Sequence, residues 1–571
     1  MKYKFFALLC IGFILLFSIQ SVELGWSKTD VLFSETTCGV AIVAFLMLIW
    51  RKQQMSLSAI DIVVALWFAY VMIRSYVDSS FPNANFCLRA MQMFLLYVCV
   101  RLLLSSEDVS ERMIVFAILL CGIYEVFLGA VQLINGGSRH HLFLISGSFL
   151  NPGPYSVFLS MGLVMSCQFR KSNHSSNTIL TSLFNWLPLF FFILLPATWS
   201  RAAILAAAIC LGIIYWNLWR RYRWYVFGGL GFVFIGLYFL KQGSADGRSI
   251  IYMISLLSIC HAPVFGSGIG SFCHQYAEEM ANFSSLHPTF NFQSADVIDG
   301  AFNSILQIGV EQGLVGVSFA VVLVLLLYAR LMKCGKTLGI GLLCMSIISM
   351  FSYPFDLLPY QIIFVLISGY AATVKKGYLI FAKRGQLFQR HLVSLMSISC
   401  VVFLFVFSHQ QIKGREKAES DYKIMAGLTE TAFLDSYYRL LPLLASNKYF
   451  LFDFSKMLIA DGRYSDSNAV LRKGTLISND PMFYIIQGNN YREMGFWEEA
   501  EYAYQKAFYI MPNRLYPLYQ LMLLYEKEGK TNQMIDMTQR IMAFNEKVVS
   551  SATMEMKKNA KEKWKRYCQN R

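Results

Sequence analysis

The sequence predicts an all-α protein: a polytopic transmembrane helical bundle of 12 to 13 spans followed by a soluble α-helical solenoid. Two compositional facts and one periodicity carry this expectation. Of 571 residues, 56% are hydrophobic and only 15% charged, too apolar for a soluble chain of this length. Apolar runs of bilayer length recur as far as Ser408, and beyond it the composition turns to mixed charge. In that second part small and aromatic residues return with a period of about 34 residues.

Taken in order, apolar runs fall at 5–21, 33–50, 58–74, 86–104, 113–135, 149–167, 179–198, 202–217, 224–240, 303–329, 339–356, 359–374 and 392–408. Basic residues cluster in alternate connections: Arg51-Lys52, Arg101 with Arg112, Arg170-Lys171, Arg220-Arg221 with Arg223, Arg330 with Lys333 and Lys336, and Lys375 to Arg390. Lys and Arg in short loops stay on the cytoplasmic side, so the N-terminus lies inside and thirteen crossings put the 241–302 loop and everything after Ser408 outside. The net charge of +15 is mostly this topology signal and does not argue for nucleic-acid binding. The first run follows Lys2 and Lys4 but lacks a small-x-small cleavage site, so it reads as a span. The thirteen Cys are scattered, mostly inside spans, with no metal-ligand spacing; Cys260 and Cys273 share the outer side, where a disulfide between them is one alternative.

The expected domains are 1–408 in the membrane, with 241–302 as its outer loop, 409–447 as a helical stem, 448–547 as repeats and 548–571 as a basic tail. Pro481 to Arg514 resembles the 34-residue tetratricopeptide pattern, with Gly488, Tyr491, Gly495, Ala500, Tyr504, Ala507 and Pro512 at its small, aromatic and terminating positions. Gly462-Arg-Tyr and Gly529-Lys-Thr occupy the same inter-helix turn in flanking repeats. The resemblance implies stacked helix pairs, which either bind a protein partner or cap the membrane domain.

Four stretches carry chemistry. Asp299 to Gly316 contains Asn303, Gly313 and Gly316; Gly147-Ser-Phe-Leu-Asn-Pro places Asn151 at the outer mouth of a span; Trp199-Ser-Arg-Ala places Arg201 at another; and Gly247-Arg-Ser-Ile-Ile-Tyr252 is followed by Pro263-Val-Phe-Gly-Ser-Gly-Ile-Gly270. In this order over residues 140–330 they resemble the bacterial O-antigen ligase and polymerase superfamily. That family's signature is a His-Asn pair followed after nine residues by Gly-x-x-Gly; here Phe302 stands at the His position.

The resemblance implies a metal-independent, inverting glycosyltransferase of the bacterial inner membrane with a periplasmic C-terminal domain. The donor it implies is an undecaprenyl-diphosphate-linked glycan, the acceptor a glycan, a lipid or a protein hydroxyl. No cofactor is expected. Arg201 and Arg248 are the expected diphosphate ligands, because guanidinium stays charged and its fork matches phosphate oxygens. Alternatively, Arg201 is an interfacial anchor and Arg248 a solvated loop residue. Asn303 is read as a catalytic hydrogen-bonding group or as a helix cap. Glu311, about 12 Å deeper at 1.5 Å per residue, and Asn151 are read as supporting residues. With the family His missing, His287 is the expected general base, and His274, Asp296 and Asp299 are its alternatives.

Other features invite different classes. Asp61 and Glu125 look like isolated acids inside spans, thin support for a transporter without an inverted repeat. Arg139-His140-His141 reads as a solvated loop, and Asn173-His-Ser lies on the expected cytoplasmic side. No phosphate-binding loop, dinucleotide fingerprint, zinc spacing or serine triad motif occurs. The rival from another class is a membrane scaffold or lipid-glycan transporter.

Overall fold

The computed structural model describes residues 8–15, 26–51, 57–78, 81–82, 84–104, 110–138, 143–172, 179–217, 242–373, 387–426 and 433–569, with scattered positions from 220 to 231. Arg139-His140-His141, Asn173-His-Ser, most of the 224–240 run and much of 5–21 lie outside the described residues. Among the described residues all regular structure is helical. The membrane part comprises α1 (Trp26–Arg51), α2 (Ala59–Val77), α3 (Ala84–Leu104), α4 (Glu111–Ile134), α5 (Pro152–Ser172), α6 (Ile179–Leu194) and α7 (Arg201–Ile214). It continues through α8 (Gln242–His261), α9 (Phe272–Leu286), α10 (Ser304–Cys334), α11 (Lys336–Ser349), α12 (Leu358–Thr373) and α13 (Leu387–Met425). Among the described residues α2, α3, α4 and α10 are long and apolar enough to cross a membrane, accompanied by the shorter apolar helices α7, α11 and α12. The chain is a multi-pass membrane protein.

α5 is the centre of the bundle. Every residue from Pro154 to Cys167 is buried, as expected for a helix apolar on all sides. It packs on α4, α6, α7 and α11. A second group forms where α3 meets α12, α1 and α13. The acids in α2 and α4 are not isolated, contrary to the sequence reading. The Asp61 carboxylate accepts from Arg101 Nε at 3.1 Å, from the Tyr97 hydroxyl at 2.6 Å and from Ser58 N at 2.7 Å. Glu125 accepts from Ser148 N at 3.1 Å and Ser148 Oγ at 2.5 Å, fixing the turn before α5. Partners arriving 23 to 40 residues away in sequence turn both acids into structural groups.

Helix α13 continues as one rod of 39 residues to Met425, so most of the expected stem is continuous with the helix that contains the 392–408 run. The C-terminal helices follow: α14 (Leu434–Leu444), α15 (Lys448–Ala460), α16 (Tyr464–Thr475), α17 (Met482–Glu493), α18 (Trp497–Ile510), α19 (Tyr516–Lys527), α20 (Thr531–Ala543) and α21 (Ser551–Gln569). Each packs on the next. Gly462, Gly495 and Gly529 take left-handed φ of 75°, 80° and 75° at the turn inside each pair, a conformation that costs glycine nothing. The expected basic tail is the helix α21, which packs on α20 and contributes the buried Ala560.

Candidate functional site

The region between α8 and α10 is built around a broken helix. At Gly313 the backbone leaves the helical range, with φ 65° and ψ −166°. A break inside an apolar bundle strips backbone groups of their partners, and these must be matched locally. The 263–268 turn does so: Ser267 N donates to Val310 O at 2.8 Å, Gly268 N to Glu311 O at 3.1 Å, Leu314 N to Pro263 O at 2.8 Å and Val315 N to Val264 O at 3.2 Å. The Tyr70 hydroxyl covers Gln312 O at 2.7 Å. The approach requires glycine on both sides, since a Cβ on Gly266 would lie 2.5 Å from Gln312 N and one on Gly313 would lie 2.4 Å from Val264 O. Gly313 thus serves a chain break and loop insertion. Gly270 and Phe272 direct their backbone N–H groups at the Glu311 carboxylate, tying the same turn to α10.

Because α8 enters that turn and α10 leaves it, Arg248 on α8 meets the start of α10. Its guanidinium lies over the Phe302 ring, 5.7 Å from the centroid. Phe302 has a φ of 50°, uncommon for a bulky side chain, and is held from several sides. The Tyr252 hydroxyl lies 3.3 Å from Phe302 O and 3.1 Å from Met350 O, and Tyr353 meets the Phe302 ring edge-on at 5.5 Å. The next residue, Asn303, caps α10: its Oδ1 accepts from Ile305 N at 3.0 Å and Leu306 N at 3.2 Å. Arg201 opens α7, where the helix N-terminus already favours an anion. Burial pushes the Arg248 guanidinium below its ordinary value, and the positive charge of Arg201 pushes the same way against the Tyr252 and Tyr353 hydroxyls. Among the described residues no carboxylate forms an ion pair with Arg248. The two guanidinium groups are therefore within electrostatic reach of one another, and that of Arg248 is half-buried without an ion-paired acid among the described residues.

Residues 186–321 match the O-antigen ligase family model. The match includes Arg201, Arg248, Tyr252, Phe302, Asn303 and the Gly313 break. It supports a place in that superfamily and, with the apolar helices, a membrane glycosyl-transfer function in surface glycan assembly. No curated protein matches the chain.

The O-antigen ligase signature did not point to Tyr353 or Asp356, which lie on the turn between α11 and α12, beyond the matched segment. Asp356 is exposed at its surface, yet the protein crowded around its carboxyl pushes it up to about 6. The Tyr353 hydroxyl feels the charges of Asp356, Arg248 and Asp299 together. Only an acid in a turn with aromatic neighbours was visible in sequence, too common a pattern to select.

The remaining candidates are engaged elsewhere. His287 Nδ1 lies 2.9 Å from Phe283 O and its ring stacks on Phe283, contacts confined to the end of α9. His274 Nδ1 lies 3.0 Å from Thr475 O. Asp296 pairs with Lys547 at 3.1 Å and Asp299 with Lys448 at 2.6 Å. Asn151 is exposed, and its Oδ1 accepts from Gly153 N at 2.8 Å at the start of α5. Glu311 holds the turn, as described. Cys260 and Cys273 are separate thiols. Among the described residues no group of His, Cys, Asp and Glu suits a metal ion.

Proposed function

We propose that the chain moves a glycan from a polyprenyl diphosphate to an acceptor hydroxyl on the outer face of a bacterial inner membrane. The observation that carries this reading is the half-buried, acid-free guanidinium of Arg248 beside Arg201 at the head of α7. A desolvated cation needs a counter-charge, and two fork-shaped cations at a helix N-terminus suit a diphosphate. As the glycosidic bond breaks, negative charge grows on the departing diphosphate, and the two guanidinium groups stabilise it more than they stabilise the donor. The acceptor oxygen attacks the anomeric carbon from the opposite face, which inverts the centre.

Asp356 takes the acceptor proton in this reading, in the place where sequence alone had put His287. A carboxylate that titrates near 6 is ionised at neutral pH and still basic enough to accept a proton as the bond forms. Asn303 positions Phe302 and the first turn of α10 by capping, and its Nδ2 has no protein partner among the described residues, which leaves it for a sugar or phosphate oxygen. The acceptor is a second lipid-linked glycan, a lipid A core or a protein hydroxyl; tetratricopeptide-like repeats favour an extended acceptor, since the cation pocket alone serves a small one.

The test is electrophoresis of surface glycans and exported proteins from cells in which Arg248→Ala replaces the parent chain. Loss of the mature glycoconjugate with donor accumulating on the outer leaflet is expected. An unchanged profile would favour the scaffold reading, and donor trapped on the inner leaflet a transporter. A single unit on the core marks a polymerase, bare core a ligase, and unmodified secreted protein a protein transferase.

A further inference from the structure

The segment entering the site from upstream, residues 292–299, is held by a repeating set of contacts from the C-terminal helices. Asn513 is buried in the turn between α18 and α19, and its Nδ2 lies 3.1, 3.2 and 2.8 Å from the carbonyl oxygens of Phe292, Gln293 and Ala295. Asn479, buried in the turn between α16 and α17, accepts from Ile298 N at 3.2 Å. Lys547, between α20 and α21, donates to Ala295 O at 3.0 Å and pairs with Asp296. These three residues are spaced 34 apart, the repeat length itself, so equivalent turns of three helix pairs converge on one short stretch of chain. Lys448, at the start of the first pair, adds Asp299.

We propose that these inter-repeat turns form a peptide-binding edge occupied in cis by residues 292–299, and that Asn513 and Asn479 are positioning residues for the transfer site. Their contacts are to backbone, so they fix the path of the segment whatever its side chains. Phe302 lies three positions after Asp299, a reach of roughly 10 Å. Phe302 holds its left-handed φ only while both flanks are fixed. Asn303 fixes the downstream flank by capping α10. Upstream, Phe292, Ala295 and Ile298 share an apolar cluster with Met511 of the repeats, and the Asn side chains set the register of that packing. Loosening the edge releases Phe302 and with it the platform under Arg248. Only the activity half of this proposal rests on the glycosyl-transfer reading.

The experiment uses the full chain in lipid nanodiscs, with hydrogen exchange over 288–303 and, in parallel, transfer from a lipid-diphosphate glycan. Asn513→Ala is expected to speed exchange of 292–303 about 30-fold, as losing the two or more hydrogen bonds made by its two N–H donors implies. Exchange within α15 to α20 stays as in the parent. The kcat for transfer falls about tenfold with donor KM unchanged, since a positioning defect acts on the reacting geometry. Unchanged exchange overturns the proposal, and faster exchange with intact kcat overturns the positioning role. Should Asn513→Ala not fold, Lys448→Asp alone and with Asp299→Lys decides the matter: the single variant loosens the segment and the exchanged pair restores it, and failure of the pair to restore it counts against the edge. Activity surviving in Arg248→Ala would sink the glycosyl-transfer reading, while the exchange result still judges the peptide-binding edge.

Discussion

Replacing Arg248 by Ala separates a working cation from a structural one. Among the described residues the guanidinium has no ion-paired acid, and its partner in the fold is the Phe302 face at 5.7 Å. Losing that contact costs roughly 0.5–1 kcal/mol, and relieving the desolvation of an uncompensated charge offsets part of it. Net stability therefore changes by less than about 1 kcal/mol. Transfer behaves differently: a preorganised charge aimed at a developing anion is worth about 100- to 1000-fold in kcat when removed. Arg101→Ala supplies the contrast, because it strands the Asp61 carboxylate, buried among Tyr97 and Ser58, at a cost of roughly 3–5 kcal/mol. Thermal unfolding in detergent, followed by size-exclusion fluorescence, reads stability; transfer in nanodiscs reads activity. The expected pattern is a folded, inactive Arg248→Ala beside a poorly folded Arg101→Ala. An Arg248→Ala protein that keeps a third of its kcat, or that unfolds as readily as Arg101→Ala, refutes the assignment of this cation to substrate.

Three other outcomes follow from the same geometry. Because burial raises the Asp356 carboxyl to about 6, the ionised base is lost as pH falls through that value, so kcat declines on the acid side with a midpoint near 6. Asp356→Asn removes that limb along with most of the rate, as a pH series of transfer assays checks. Gly313→Ala forces a Cβ to within 2.4 Å of Val264 O at a φ of 65°, and a loss of about 3 kcal/mol is expected as a lower unfolding temperature and reduced membrane yield. Glu125→Ala removes the acceptor of both Ser148 N and Ser148 Oγ; about 1–3 kcal/mol and a faster-exchanging 146–151 turn are expected in hydrogen exchange.

Spans were legible in sequence because burial imposes long apolar runs, and eleven of the thirteen expected runs coincide with helices. Their ends were less so. The run expected at 149–167 begins at Pro152, since the Gly147 turn is pinned by Glu125, and the run at 339–356 stops at Ser349, ahead of the turn containing Pro354. Arg201, Arg248 and Asn303 could be named as candidates because they stand in motifs in which residue type and spacing are fixed together. Asp356 stands outside those motifs, on the return of the chain between α11 and α12 that brings it close to Gly300. His287 attracted attention as an imidazole on the right loop, but its ring faces its own helix end. The cap at Asn303 shows the reverse limit: the local backbone role that sequence offered as one alternative is the one occupied, and any contact with substrate falls to the other end of the same amide.

The two arginines are supported independently, and that bears on how the site responds to its ligand. Helix α7 packs on α5 and α11, whereas α8 packs on α9 and α10 and is locked to α10 through the turn at the Gly313 break. Arg201 and Arg248 are thus held by different direct neighbours, although α10 itself packs on α11 as α7 does. The positive charge of Arg201 opposes that of Arg248, and in the proposed reaction a diphosphate between them reverses the sign of that interaction. The break in α10 hands its unpaired backbone groups to the turn, which ties α8 to the head of α10. A helix continuous through residue 313 would need no such loop, and Arg248 would lose this tie to the residues that carry Phe302 and Asn303.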